Sequence, residues 1–94
     1  MKIQVRSVLT IAKILSGKII HVEFPEPLTL QELLTELTAT YGQEFYDAVC
    51  DETGYSDSKV SILVNGTNVA VIGGVGIQLK DDDDVLIMPV ISGG

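Results

Sequence analysis

The last sixteen residues decide the fold: residues 79–94 read LKDDDDVLIMPVISGG. Four consecutive aspartates at 81–84 predict a solvated turn that also attracts a basic partner. The four apolar residues at 85–88 predict an interior strand buried on both faces of a sheet. Pro89 ends this strand because its ring cannot donate to a ladder. The most apolar strand of the chain therefore comes last, and it buries the most apolar surface at the centre of a sheet.

Two alternating segments near the beginning of the chain predict further strands, at 2–9 and 18–24. In the first of them Ile3, Val5 and Leu9 share one face, as the two-residue period of a half-buried strand requires. The residues between the two segments form a connection. The first strand belongs beside the last one, at the centre of the sheet.

A leucine-rich segment in the middle of the chain predicts the main helix. Thr29 and Glu32 have the spacing of a capping box, in which each side chain satisfies a free backbone N–H. An apolar stripe then runs from Leu30 to Tyr41 over about three turns, and Gly42 is placed to end the helix. One such stripe is covered by one sheet face, which gives a two-layer α+β domain.

The segments after this helix are shorter. Residues 43–50 predict a second short helix, and 51–59 predict a solvated loop. Strands are predicted at 60–64 and 69–72, joined by a turn at Asn65-Gly66-Thr67-Asn68, because Asn and Gly tolerate positive φ. A mixed sheet of four or five strands on one main helix, with its first and last strands adjacent, is a β-grasp fold.

Composition limits the classes of partner. The chain has 94 residues, 46% of them hydrophobic, which suffices for one small domain. Thirteen acidic and six basic residues give a net charge of −7, which disfavours nucleic acid and anionic membranes and favours a protein with a basic face. The single cysteine, Cys50, permits no internal disulfide and no thiolate metal site, and is predicted to be a small buried residue. Without a membrane-length apolar run or a signal-peptide pattern, a soluble cytoplasmic protein with no metal is expected.

Two glycines, Gly93 and Gly94, follow the last strand. We expect a domain at 1–90 and a flexible tail at 91–94. The residues after Pro89 reach about 16 Å when extended, so their carboxylate can enter a partner's pocket, and glycines pass narrow channels. Such a carboxylate can attack the α-phosphate of ATP, and a sulfur or nitrogen nucleophile can capture the resulting acyl-adenylate. An ordinary frayed end is the alternative.

The segment 79–94 resembles the C-terminus of the ubiquitin-like sulfur carriers, the group of MoaD and ThiS, with the MoaD-like small subunits of molybdopterin synthase nearest. The order of the upstream elements and the Val-Asn-Gly at 64–66 agree with it. Three positions depart from the usual pattern, and the loop at 43–59 is long for the family. Asp82 replaces the turn glycine, Val90 replaces the second proline of a Pro-Pro pair, and Ile91 replaces the valine that follows. Aspartate tolerates a left-handed backbone, so the turn can survive.

The resemblance implies that partner proteins carry the catalytic groups and that the chain holds no cofactor stably. A ubiquitin-activating-type adenylyltransferase, similar to MoeB or ThiF, would adenylate the Gly94 carboxylate with ATP and Mg²⁺. A sulfur donor protein would convert it to a thiocarboxylate, and a molybdopterin synthase large subunit, similar to MoaE, would receive the tail. Gly93 would allow passage, and Ser92 and Ile91 would line the tail.

A carrier of this kind also needs a docking patch, because its tail alone buries too little area for affinity. Leu63, Met88 and Val90 are the candidates, with Ile19 as a further exposed apolar residue; scattered apolar surface is the alternative. Three other functions remain open. The chain could be a protein modifier that Gly94 joins to lysines, a ThiS-type carrier for thiamine thiazole synthesis, or a plain interaction module.

Overall fold

A computed structural model describes residues 1–90 of the chain. Residues 91–94 lie outside the described part. The elements follow one another as β1 (Lys2–Ser7), α1 (Leu9–Ile14), β2 (Ile19–Glu23), α2 (Leu30–Tyr41), α3 (Gln43–Val49), β3 (Cys50–Asp51), β4 (Gly54–Tyr55), β5 (Val60–Val64), β6 (Thr67–Asn68), α4 (Val69–Ile72), a 3₁₀ turn (Gly74–Gly76) and β7 (Asp83–Pro89).

The main sheet has five strands in the order β2-β1-β7-β5-β6. β1 and β7 run parallel with Val5 opposite Val85, and the other neighbouring strands run antiparallel. The first and last strands are therefore adjacent at the centre, as their apolar character predicted. The mixed sheet with α2 packed across it is the expected β-grasp arrangement.

The main helix begins and ends where the sequence predicted. Thr29 Oγ1 accepts the Glu32 N–H at 3.2 Å, and a Glu32 carboxylate oxygen accepts the Thr29 N–H at 2.9 Å, which completes the capping box. Gly42 ends the helix with φ 84°, and its N–H donates to the Thr38 carbonyl at 2.8 Å. The buried stripe of α2 is Leu30, Leu33, Leu34 and Leu37, each at most 2% exposed.

The core lies on one face of the sheet only. Alternate residues of the three inner strands point to it, and their side chains are buried: Ile3, Val5, Val60, Ile62, Val64, Val85 and Ile87. The prediction that 85–88 is buried on both faces is wrong. Leu86 and Met88 are half-buried on the opposite face.

Two predicted boundaries also need correction. The first strand ends at Ser7, whose side chain takes the third buried position after Ile3 and Val5. The chain then turns into α1, so Leu9 is 59% exposed instead of facing the core. The predicted loop at 51–59 contains part of a small hairpin, in which Cys50 pairs with Tyr55.

The segment 69–72 is a helical turn and not the predicted strand. Asn68 Oδ1 accepts the Ala70 N–H at 2.9 Å, which caps the turn at its beginning, and Gly73 ends it with φ 126°. Helical geometry turns Val69 inward but leaves Val71 78% exposed. The β-branched residues favour a strand locally, but the cap and the glycine override that preference.

Candidate docking face and carboxyl-terminal tail

The uncovered sheet face carries a row of neighbouring side chains. The strand register places Ile19 opposite Arg6, Arg6 opposite Leu86, and Leu86 opposite Leu63. Directly opposed residues on one sheet face have Cβ atoms about 4.5–5.5 Å apart, so these side chains are in contact range. Ile19 is 55% exposed, while Leu63 and Leu86 are half-buried. The row is an apolar strip interrupted by one guanidinium.

The predicted docking residues do not all join this row. Met88 lies on the same face, two residues beyond Leu86 and diagonal to Leu63. Val90 lies past the end of β7, where its N–H donates to the Lys59 carbonyl at 2.9 Å and its side chain is 40% exposed. We define the docking face as Ile19, Leu63, Leu86 and Met88.

Sequence reasoning missed Leu86 because it assigned the whole apolar run to a fully buried strand. The available signal was the two-residue period itself. Val85 and Ile87 share the core face, so Leu86 has to share the other face with Met88. Whether this face binds a partner stays a prediction.

Arg6 is held beside the docking face by a carboxylate. Its Nε and Nη2 donate to the two Asp84 oxygens at 2.8 and 2.6 Å, a bidentate pair, and Gln4 Nε2 donates to Asp84 Oδ1 at 3.1 Å. The hydrogen bond from Arg6 lowers the pKa of Asp84 below its usual range, and the bond from Gln4 adds to the effect. The pair fixes a planar cation next to Leu86.

The aspartate run is only partly the solvated turn that was predicted. Asp81 Oδ1 accepts the Lys2 N–H at 2.7 Å, and Asp83 accepts from Asn65 Nδ2 at 2.8 Å. Asp82 takes the left-handed φ of 67° that was expected at this position, and its N–H donates to the Lys2 carbonyl at 2.7 Å. These carboxylates fasten the turn to β1 and to the β5–β6 connection. Asp81 and Asp82 remain exposed to solvent.

The predicted reacting residues lie outside the described residues: Ile91, Ser92, Gly93 and Gly94. Within residues 1–90, no group of three acidic, histidine or cysteine side chains is placed to hold a metal ion. Cys50 is buried as predicted, and burial raises the pKa of its thiol, which disfavours the reactive thiolate. Among the helices of this same part of the chain, none is long and apolar enough to span a bilayer.

The sheet order and its single covered face define a ubiquitin-like β-grasp protein of the α+β class. The ThiS family model matches residues 8–94, which is nearly the whole chain. The chain therefore belongs to the ThiS family, in agreement with the resemblance of its C-terminal segment. This is a family of ubiquitin-like sulfur carriers.

Individual relatives agree with this assignment. A protein of Archaeoglobus fulgidus, named provisionally as a sulfur carrier protein, is 30% identical over 69 residues, which cover 73% of this chain and 77% of that protein. A solved structure from Pyrococcus furiosus, named provisionally as molybdopterin converting factor subunit 1, has a TM-score of 0.78 at 27% identity and covers 97% and 99% of the two chains. The small archaeal modifier protein 1 of Methanosarcina acetivorans has a TM-score of 0.79 at 23% identity over 99% and 96% of the chains, which shows the shared fold.

Proposed function

We propose that this protein is a sulfur carrier for molybdopterin synthesis, acting as the small subunit of a molybdopterin synthase. The observation that carries the proposal is the ThiS family match, which runs through Gly94 and so includes the two terminal glycines. The relative named as molybdopterin converting factor supports the pterin pathway over thiazole synthesis. The chemistry belongs to Gly94 and to partner proteins.

The proposed cycle begins when a ubiquitin-activating-type adenylyltransferase binds the carrier with ATP and Mg²⁺. The Gly94 carboxylate attacks the α-phosphate, pyrophosphate leaves, and an acyl-adenylate forms. A sulfur donor protein supplies sulfur at the oxidation level of sulfide. The sulfur attacks the acyl carbon and AMP leaves, so a C–S bond replaces the C–O bond to phosphate. The product is the Gly94 thiocarboxylate.

In the second half of the cycle a synthase large subunit receives the tail. The thiocarboxylate sulfur attacks an electrophilic carbon of the pterin precursor, and an oxygen leaves that carbon as its carbon–oxygen bond breaks. Water then cleaves the acyl–sulfur bond, which returns the Gly94 carboxylate and leaves the sulfur on the pterin as a thiol. Gly93 has no Cβ to obstruct a narrow channel. Ser92 and Ile91 are proposed to contact the channel wall, while the docking face provides the area that a four-residue tail lacks.

The net charge of −7 supports partners with basic docking surfaces. A protein interface usually has an apolar centre surrounded by a polar rim. The apolar centre here is formed by Leu63, Leu86 and Met88, and the acidic surface around them supplies the charge attraction. The Arg6–Asp84 ion pair places polar hydrogen-bonding groups beside this apolar centre.

The test is mass spectrometry of the intact protein purified from its native host, followed by mapping of the last peptide. Replacement of one oxygen by sulfur on Gly94 is the expected result. Reconstitution with a molybdopterin synthase large subunit should then yield product, and reconstitution with a thiazole synthase should not. The reverse outcome identifies a ThiS-type thiamine carrier.

Two further outcomes contradict sulfur transfer. Gly-Gly remnants of this chain on lysines of other proteins, without any thiocarboxylate, identify a protein modifier. An unmodified C-terminus in cells that make the activating enzyme leaves only an interaction module.

A further inference from the structure

One edge of the main sheet is free. β2 pairs with β1 on one side and with no strand of residues 1–90 on the other. The Phe24 N–H donates to the Met1 carbonyl at 2.8 Å, and the Ser7 N–H donates to the Lys18 carbonyl at 2.9 Å. Even-numbered residues of β2 therefore bond to β1. Antiparallel register then directs the backbone N–H and C=O groups of the odd-numbered residues outward.

The outward-directed residues are Ile19, His21 and Glu23, and the side chains of all three are exposed. Proteins usually protect such an edge with a proline, a bulge or a covering loop, because it is a template for another strand. Pro25 comes only after β2 ends, and no proline lies within β2. Three donors and three acceptors are thus presented along one edge.

A groove runs between this edge and the main helix. It has a volume of about 260 Å³. Its apolar wall is formed by Val22, Phe24 and Leu37, of which the first two are only half-buried. Glu36 lines the same groove from α2 and is exposed to solvent. Glu23 borders the groove at the edge of β2, where strand alternation directs its exposed side chain to the opposite face from Val22. An extended segment on the edge of β2 would direct alternate side chains into this groove.

We propose that the edge of β2 binds an extended segment of a partner protein that carries apolar residues at alternate positions and basic residues beside them. Backbone hydrogen bonds to residues 19, 21 and 23 supply the pairing, the groove receives the apolar side chains, and Glu23 and Glu36 attract the basic ones. This site shares only Ile19 with the docking face, where it uses the backbone of that residue and not its side chain, and it does not involve Gly94. Its success or failure is therefore independent of the proposed sulfur transfer.

A second copy of this chain is the weaker occupant of the same edge. Pairing two copies through β2 brings together two molecules that each carry a charge of −7. A basic segment relieves this repulsion, whereas a second copy increases it.

The probe is the synthetic peptide Lys-Lys-Val-Ile-Val-Ile-Lys-Lys, titrated into ¹⁵N-labelled full-length protein and followed by NMR. We expect the amide signals of Ile19, His21 and Glu23 to shift and their hydrogen exchange to slow. A peptide with glutamates in place of the lysines should bind at least about tenfold more weakly, because the groove is acidic. Equal binding of both peptides, or shifts confined to other strands, overturns the proposal.

Two variants separate edge pairing from general attraction. His21→Pro removes an outward N–H without removing a sheet hydrogen bond, so the fold should persist and peptide binding should be lost. Glu36→Lys should weaken binding about fivefold, while Glu52→Lys, an exposed site on the distant hairpin, should not. If His21→Pro fails to fold, the comparison of peptide binding by Glu36→Lys with peptide binding by Glu52→Lys tests the proposal.

The same spectra test the second copy. If exchange at residues 19, 21 and 23 slows as the concentration of the protein alone increases, the edge pairs with itself. That outcome also overturns the proposal.

Discussion

Asp84 is the residue whose negative charge is most clearly stabilised by contacts of the folded protein. It accepts three hydrogen bonds from the Arg6 guanidinium, in which Nε is shared between both carboxylate oxygens, and a fourth from Gln4, across the parallel pair at the centre of the sheet. Its pKa is lower in the folded protein than in the unfolded chain, mainly because of the bond from Arg6. The ionised Asp84 carboxylate therefore stabilises the folded protein. Protonation of this carboxylate in acid removes that stabilisation.

This predicts a pH dependence for Asp84→Asn. Above the unfolded-state pKa of about 3.9 the stabilisation by the charge is complete, so the variant should be less stable than the wild type by a constant amount between pH 7 and 5. As the pH falls through the lower pKa of the folded state, the wild type loses that advantage and the two stabilities converge. Urea unfolding at a series of pH values measures this difference.

Asp57→Asn, at an exposed loop position, is the control for the loss of one carboxylate. A difference for Asp84→Asn that is unchanged down to pH 2 contradicts the assigned role of the ion pair.

Single residues also mark the limit of sequence reasoning. The left-handed turn at Asp82 follows from a local backbone preference, so it was predictable. The partners of Asp83 and Asp84 are distant in sequence, Asn65 and Arg6, and no local pattern names them. Four aspartates in a row therefore predicted a solvated turn, although the carboxylates of Asp81, Asp83 and Asp84 bond to distant parts of the sheet.

At the scale of elements, helix α2 depends on its leucine stripe. Leu34 is 1% exposed, and its removal leaves a cavity between the helix and the sheet. We expect Leu34→Ala to lower the free energy of unfolding by about 2–5 kcal/mol, measured by chemical denaturation. Thr35→Ala, on the exposed face of the same turn, is the control. A loss below about 1 kcal/mol for Leu34→Ala would mean that another face of the helix is buried.

The uncovered face of β5 and β7 gives a prediction about partner binding. Leu63→Lys places a charge in the docking face without entering the core, so the fold should persist. The KM of the activating enzyme for the carrier should rise about tenfold or more, since an apolar contact at the centre of an interface is replaced. Val71→Lys, at a 78% exposed site on α4, should leave the KM unchanged. Equal effects of the two variants would exclude a docking role for this face.

Elements with strong periodicity and a matching cap were predictable from sequence, as α2 shows. The shortest ones were not. In 69–72 the β-branched residues indicate a strand, and a single capping bond from Asn68 and the geometry of Gly73 decide otherwise. Whether β7 is buried on one face or on both depends on whether helices cover one or both faces of the sheet. The sequence of β7 alone does not determine that arrangement.

At the scale of the whole molecule, the proposed reaction and the fold should be separable. Deletion of Gly94 leaves every described contact intact, so the melting temperature should be unchanged. ATP–pyrophosphate exchange with the cognate activating enzyme should be abolished, because the reacting carboxylate is displaced by one residue. Ser58→Ala, at an exposed site in the loop before β5, should retain exchange. Normal exchange after the deletion refutes Gly94 as the reacting residue.

The parallel pairing of β1 with β7 has a consequence for how the protein is made. Gln4 and Asp84 bond to each other across 80 positions, and without β7 the strands β2 and β1 have no connection to β5 and β6. A nascent chain therefore cannot close its sheet until β7, which ends at Pro89, has left the ribosome. Closing so long a loop costs conformational entropy before the β1–β7 contacts stabilise the sheet. Folding should therefore be a single late event, and it should be slower than the folding of helical bundles of equal length.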